Sequence, residues 1–235
     1  MKPISVYIHI PFCIKKCTYC NFYSVDYEAE LVEAYVQALR KEIKLVELPA
    51  EYTVHTIYFG GGSPSLLPFK HLYSIVEAIH SKFLITDSPE VTLEANPSQV
   101  SETKAKNWRI CGINRISLGV QSFQDDELTI LGRLHSSSQI SKVVESIKRY
   151  CTENFSLDLM YGIPLQNHKR WLTSLRNATK LLPTHISAYC LSLEPDTYLA
   201  EKREQFDFPT EDTIADMYYE MIDFLSAKGY YQYDF

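Results

Sequence analysis

The stretch that decides the fold is ISVYIHIPFCIKKCTYC, residues 4–20. Its first seven residues form a short, apolar, β-rich run, which predicts a strand over 4–10. Three cysteines follow at once, at positions 13, 17 and 20. In sheets built from strand and helix repeats the functional loops gather at the carboxyl ends of the strands. The cysteines therefore lie where a functional site is expected.

The rest of the chain repeats the same alternation of strand and helix. Further strands are predicted over 55–59, 90–94, 114–119, 155–160 and 185–191, and helices over 29–48, 70–83, 100–110, 125–149 with an interruption, 169–182 and 211–228. Such alternation favours right-handed crossovers and a parallel sheet. Because six units do not close an eight-fold barrel, we predict an α/β fold, a partial (βα)6 TIM-like barrel. A doubly wound flat sheet is the alternative.

Composition narrows the classes of function. The chain has 235 residues, 46% of them hydrophobic, and a net charge of -6, so it can bury one core and offers no basic face for nucleic acid. It shows no long apolar run and no signal peptide, so we expect no stable membrane insertion and a cytoplasmic location. We see no linker and predict a single domain over 1–235. The aromatic-rich end, 229–235, suggests a truncation.

The cysteine spacing, C-x3-C-x2-C, indicates a metal centre. Thiolates hold iron-sulfur clusters, and with three nearby cysteines one iron of a four-iron cluster stays open to an outside ligand. Zinc is the competing metal, but a structural zinc site normally closes with a fourth Cys or His. Cys111, Cys151 and Cys190 lie far apart in apolar runs and are expected to be buried structural thiols.

Several segments resemble the radical-SAM superfamily and, within it, the oxygen-independent coproporphyrinogen III oxidase group with its haem chaperone branch. In chain order these are YIHIPFC at 7–13 with the two further cysteines, GGGSPS at 60–65, EANP at 94–97, SLGVQSF at 117–123, GR at 132–133 and DLMYGIP at 158–164. The resemblance covers essentially the whole chain. The C-terminal region of the family is not among the matched segments. It implies a radical-SAM core domain, a [4Fe-4S] cluster on the cysteine triplet and S-adenosylmethionine (SAM) at its open iron.

The resemblance also implies which residues bind SAM. A first SAM would meet Tyr7, Gly61, Glu94 and the main chain near Ala188, and matching positions for a second SAM are Gln121, Arg133 and Asp158. The predicted cofactor-binding set also includes Tyr19, Gly62 and Ser63. A solvated surface arginine is the alternative for Arg133, and strand-end hydrogen bonding is the alternative for Glu94 and Asp158. His9 and His135 are candidates for haem or metal ligation, but we expect a structural role for both.

Position 22 separates two branches of the family. The oxidase motif carries a further cysteine two residues after the third, whereas this chain has Phe22. That resembles the haem chaperone branch, which implies a protein that binds haem and passes it to an acceptor protein. The alternative is a radical enzyme that decarboxylates coproporphyrinogen III to protoporphyrinogen IX. A third hypothesis is a folded chain that has lost function.

Overall fold

The computed structural model describes residues 2–234 of the chain. Eight strands lie in this range, and two of them are only two residues long. The strands are β1 (Lys2–Ile10), β2 (Phe12–Cys13), β3 (Val25–Asp26), β4 (Tyr52–Gly61), β5 (Ile85–Ala95), β6 (Arg115–Gln121), β7 (Phe155–Tyr161) and β8 (His185–Cys190).

The long strands are separated by helices. The α-helices are α1 (Ala29–Leu45), α2 (Phe69–Lys82), α3 (Glu102–Ile110), α4 (Asp125–Ile130), α5 (Ser137–Tyr150), α6 (His168–Lys180), α7 (Tyr198–Glu201) and α8 (Glu211–Ser226). Short 3-10 helices occupy Pro64–Leu66, Pro97–Gln99 and Arg203–Gln205.

The main sheet has six strands in the order β1-β4-β5-β6-β7-β8, and β2 pairs with β3 separately. The pairs β1–β4, β4–β5 and β7–β8 are parallel. The strands of the main sheet lie side by side in the same order in which they occur along the chain. A doubly wound sheet would reverse its order at a switch point, so that alternative is excluded. The predicted α/β class with six parallel strands is confirmed.

All six predicted long strands are present, and most differences lie at element ends. The predicted helix over 125–149 is two helices, α4 and α5, which agrees with the interruption expected there. Gly132 follows α4 with φ 71°, a left-handed conformation that ends a helix and that glycine adopts without steric cost. The sequence prediction missed β2, β3 and the single turn α7, because elements this short carry no periodic signal.

The described chain forms two compact units. The first contains the residues up to Lys15, then Phe22–Ser117 and Glu145–Asn154. Its core includes Phe59 of β4, Leu72 of α2 and Leu93 of β5, all fully buried, and α1 packs against α2. Ser101 begins α3 by accepting a hydrogen bond from the Lys104 amide, which satisfies one of the free amides of the first turn.

The second unit contains Lys16–Asn21, Leu118–Val144 and the residues from Phe155 onward. Its core includes Phe155 of β7 and Trp171 of α6, both fully buried. The Trp171 indole N–H donates to the Met217 carbonyl of α8 at 3.1 Å. A second apolar cluster, Leu131, Met160, Ile163, Leu191 and Leu199, packs against the partly buried ring of Tyr19.

Within residues 2–234 no helix has the length and apolar character that a membrane crossing requires.

Candidate iron-sulfur and SAM site

The first unit places Cys13 against the glycine segment, residues 60–62, at the end of β4. The Gly62 amide donates to the Ile10 carbonyl at 2.8 Å, which holds the end of β1 close to this segment. A Cβ on Gly62 would lie 2.8 Å from the Phe12 carbonyl oxygen and 3.0 Å from Cys13 Sγ. Only glycine fits this approach, and Ser63 Oγ lies 3.9 Å from the same sulfur. The predicted residues Gly62 and Ser63 therefore lie beside Cys13.

Tyr7 and His9 form a hydrogen-bonded pair at the end of β1. His9 Nε2 lies 3.2 Å from the Tyr23 carbonyl, which can only accept, so this nitrogen carries the proton. His9 Nδ1 then accepts from the Tyr7 hydroxyl at 3.1 Å. Both ring nitrogens have partners within the protein, which supports the structural role expected for His9. Burial, and then the charge of Glu94, raise the pKa of Tyr7.

Glu94, near the end of β5, is held by two donors. The Tyr58 hydroxyl donates to one carboxylate oxygen at 2.8 Å, and the Gly61 amide donates to the other at 3.2 Å. The backbone amides of both Gly61 and Gly62 are hydrogen-bonded within the protein. Orientation of a carboxylate is therefore one role of this segment.

The second unit anchors the segment between Cys17 and Cys20 through Thr18. The Thr18 amide donates to the Leu131 carbonyl at 3.2 Å, and its hydroxyl donates to the Ile130 carbonyl at 2.7 Å. The Thr18 carbonyl accepts from the Leu199 amide at 2.9 Å. Three hydrogen bonds from one residue fix the backbone beside Cys17.

Arg133 lies beside Cys17 in the same unit. Its Nη1 donates to Cys17 Sγ at 3.3 Å and its Nη2 donates to the Gly119 carbonyl at 2.6 Å. Tyr19 is hydrogen-bonded to Cys17, and its pKa is raised mainly by burial and also by Cys17 and Cys20, although Arg133 acts in the opposite direction. Burial opposes the charge of Arg133, but Tyr19 and Cys17 outweigh it and raise the pKa. The arginine is therefore no solvated surface residue.

The other predicted SAM residues of this unit lie on or directly after the strands. Gln121 ends β6, is buried, and adopts φ 66°, a strained conformation for a residue with a side chain. Asp158 lies in the middle of β7, half-buried among fully buried neighbours, and accepts from Ser156 Oγ at 3.3 Å. Ala188 pairs in register with Leu159, next to the pair Asp158 and Ser187.

His135 is buried and donates through Nε2 to the Val120 carbonyl at 3.2 Å. Burial, and then the charge of Arg133, lower the pKa of His135 to about 4, against weaker opposing effects from the hydrogen bond to the Val120 carbonyl and from Asp125. The ring is therefore neutral at pH 7. A neutral, buried ring bound to a strand carbonyl supports the structural role expected for it.

A polar network around Glu127 was not found by sequence analysis. Glu127 is fully buried and accepts from Ser122 Oγ at 2.5 Å, Gln166 Nε2 at 3.1 Å and Arg170 Nε at 2.7 Å. Arg170 also pairs with Asp126. The network joins the segments that follow β6 and β7. No sequence signal marks it, because Glu127 stands in an ordinary helical pattern.

The cysteines differ in burial and in the pKa of their thiols. Within residues 2–234 no two cysteines form a disulfide, and Cys13, Cys17 and Cys20 are partly exposed. Burial raises the pKa of the Cys111 thiol to about 11 and that of the Cys151 thiol to about 12, so both stay protonated as expected of structural thiols. Cys190 was expected to be buried but is exposed, because it ends β8 at the edge of the sheet.

Two observations of the structure bear on whether a cluster fits this donor set. The Cys17 sulfur receives a charged donor, which suits a thiolate, and Arg133 Nε is buried without a hydrogen-bond partner among residues 2–234. Over the same range no group of three or more His, Cys, Asp or Glu side chains is arranged around a metal position. The three-cysteine site therefore stays a prediction, based on residue type and spacing.

A parallel, singly wound sheet whose first strand leads into C-x3-C-x2-C defines a class of protein. The family model described as Radical SAM superfamily matches residues 7–178, more than half of the chain. The chain therefore belongs to the radical SAM superfamily. Membership implies a [4Fe-4S] cluster and SAM as cofactors.

Within this superfamily, the chain is similar in sequence to proteins described as haem chaperones. The chain is 39% identical over 239 residues to Heme chaperone HemW of Buchnera aphidicola (subsp. Schizaphis graminum), and 35% identical over 236 residues to Heme chaperone HemW of Escherichia coli. Each alignment covers 100% of this chain and 62% of the relative. The chain thus spans less than two thirds of the length of these relatives.

Among solved structures, the coproporphyrinogen III oxidase HemN of Escherichia coli, a radical SAM enzyme, is similar with a TM-score of 0.88 and 26% identity. The match covers 98% of this chain and 54% of that protein. This similarity confirms that the fold is of the radical SAM type, a partial barrel.

Proposed function

We propose that this chain binds a [4Fe-4S] cluster through Cys13, Cys17 and Cys20 and SAM at the open iron, as the core of a haem chaperone. The observation that carries the proposal is the pattern of three cysteines followed by Phe22, in a chain whose curated relatives include several haem chaperones. The cofactor pair would supply one-electron chemistry at the SAM sulfonium. A reducing compartment such as the cytoplasm suits three cysteines that form no disulfide.

The chain's own residues have separate tasks in this proposal. Cys13, Cys17 and Cys20 donate the thiolates, and Gly62 leaves the room that Cys13 needs. Glu94, held by Tyr58 and Gly61, presents a carboxylate that suits the ammonium group of SAM. These contacts orient the carboxylate before any ligand arrives, which lowers the ordering cost of binding.

In the second unit, further predicted SAM contacts are supported by burial and chemistry. Arg133 keeps one buried N–H donor without a partner among the described residues, which suits a carboxylate. Asp158 and the strained Gln121 present polar side chains on the strands β7 and β6. We propose that these residues line the cavity for a second SAM.

The cofactor part is tested by anaerobic reconstitution of the chain. We expect about four irons and four sulfides per chain, and an EPR spectrum of the reduced cluster that changes when SAM is added. A Cys17→Ser variant should lose most of the iron, whereas Cys151→Ser, which changes a buried thiol, should keep it. Uptake of zinc instead, or a spectrum insensitive to SAM, would contradict the proposal.

The chaperone part is tested by haem binding and transfer. We expect the chain, or a longer chain of the length of its relatives, to bind haem and release it to an acceptor protein without turning over porphyrinogen. Absence of haem binding in both chains would contradict it.

The similarity to the oxidase structure favours one alternative, the conversion of coproporphyrinogen III to protoporphyrinogen IX. Incubation with coproporphyrinogen III, SAM and reductant discriminates the two hypotheses. Formation of protoporphyrinogen IX at enzymatic rates would replace the chaperone proposal with the oxidase.

A further inference from the structure

Cys13 and Cys17 differ in what surrounds their sulfurs. Cys17 Sγ accepts from the guanidinium of Arg133 at 3.3 Å and is hydrogen-bonded to the Tyr19 hydroxyl. Cys13 Sγ has a hydroxyl, Ser63 Oγ, at 3.9 Å. Of these two sulfurs, the Cys17 sulfur is therefore the one that accepts from a charged donor.

The arginine is fixed in place from both sides. Its second terminal nitrogen donates to the Gly119 carbonyl of β6 at 2.6 Å, so the planar guanidinium spans a rigid strand and the Cys17 sulfur. A fork of this kind loses little conformational freedom for each hydrogen bond it makes. Gly132, the preceding residue, has φ 71°, and a Cβ there would lie 3.2 Å from Thr18 Cγ2. The backbone beside Arg133 therefore approaches the cysteine segment closely.

We propose that Arg133 is a positioning residue for the iron-sulfur cluster, which orients Cys17 as a ligand and raises the reduction potential of the cluster through its N–H···S hydrogen bond. This inference rests on the proposed function, because it requires a cluster on Cys17. Donors to ligand sulfurs stabilise the reduced cluster more than the oxidised one, since the reduced cluster carries more negative charge on its sulfurs. A buried positive charge next to the sulfur acts in the same direction.

Two substitutions separate charge from geometry. Arg133→Lys keeps the positive charge, but an ammonium group cannot hold the Gly119 carbonyl and the Cys17 sulfur in one planar fork. Arg133→Gln loses the charge and keeps an N–H donor. The matched control is Arg115→Lys, which changes a partly buried arginine that bonds Thr92 in the first unit.

The experiment is measurement of the midpoint potential of the anaerobically reconstituted chain without added SAM, by reduction with dithionite and EPR detection. We expect Arg133→Gln to lower the midpoint potential by about 59 mV or more. For one electron this corresponds to at least a tenfold change in the reduction equilibrium. Arg133→Lys should lower it less, and Arg115→Lys should leave it unchanged. A loaded Arg133→Gln cluster with the wild-type potential would overturn the inference.

A second measurement uses the wild-type chain, so it does not depend on whether a variant takes up the cluster. With arginine labelled by nitrogen-15, pulsed EPR of the reduced cluster should show a weak nitrogen-15 coupling, which Arg115→Lys retains. If wild-type protein holds four irons and shows no such coupling, the inference fails and the proposed function stands. If wild-type protein takes up no cluster at all, both fail.

Discussion

Cys13 and Cys17 stand four positions apart in one motif, yet the structure holds them by different physical means. Cys13 is placed by close backbone approach, because its segment comes so near to Gly62 that a side chain at position 62 would not fit. Cys17 is placed by hydrogen bonds, through Thr18 on its backbone and Arg133 on its sulfur. Similar ligands can therefore depend on sterics in one part of a chain and on polar contacts in another.

The largest loss of stability is expected from Gly62→Ala, which tests the steric placement of Cys13. The new Cβ would lie 2.8 Å from the Phe12 carbonyl oxygen and 2.9 Å from the Pro11 carbonyl carbon, which are backbone atoms that move only with the strand. We expect a loss of about 3 kcal/mol of unfolding free energy and a lower iron content. Urea unfolding and iron counting measure both. Ser63→Ala is the control, and an equal loss there would refute the steric explanation.

The free energy of unfolding is expected to depend on pH through His135, whose pKa is influenced by Arg133, the hydrogen-bond donor to Cys17. Its pKa is about 4 in the folded protein, whereas an unfolded histidine titrates near 6.5, so the unfolded state binds more protons between these values. Stability contributed by the neutral ring is therefore present above about pH 6.5 and is lost as the pH falls toward 4. The loss between pH 7.5 and 5 should be about 2 kcal/mol. In His135→Gln this part of the pH dependence should disappear, and its persistence would contradict the assignment.

Gly132→Ala should have a smaller effect, between about 1 and 2 kcal/mol. The left-handed φ of 71° is unfavourable for alanine, and the Cβ would press on Thr18 Cγ2 at 3.2 Å. Gly112→Ala is a matched control, because Gly112 has φ 80° and open space around it. The difference between the two variants in thermal unfolding isolates the contact with Thr18. Equal losses would mean that this contact has no influence on stability.

The smallest effect is expected from Thr18→Val, which removes one hydrogen bond and keeps the shape of the side chain. The Ile130 carbonyl loses its donor, and we expect a loss of about 1 kcal/mol. Thr173→Val, at an exposed bond within α6, is the comparison and should cost less. Denaturant unfolding of the two variants side by side would show whether the Thr18 bond matters more than an ordinary helix-surface bond.

Sequence patterns predicted much of the fold because they are local. The six long strands and their helices follow from apolar periodicity, and so does the interruption in 125–149. The order of the strands could not be read with the same certainty, since a doubly wound sheet uses the same alternation. The short strands at Phe12–Cys13 and Val25–Asp26 depend on pairing between distant segments, which no local pattern encodes.

The predicted site residues show the same division. Gly62 and Ser63 were named with Cys13 and lie beside it, and Glu94 was named with Gly61 and bonds its amide. The partners Tyr58 and Tyr23 were missed, because a tyrosine in a strand or loop is typical of many structures. The buried Glu127 network was missed for the same reason, since burial of a charged side chain is decided by tertiary packing.

The sequence by itself determined the class of fold and the three candidate ligands, because strand and helix periodicity and cysteine spacing are properties of neighbouring residues. The superfamily followed from the resemblance of its motifs to a known family. Only the tertiary structure decided that Arg133 meets the Cys17 sulfur and that His9 is satisfied by Tyr7 and the Tyr23 carbonyl. The reason is physical. These contacts join residues on separate loops and strands, and their geometry exists only once the sheet has brought those segments together.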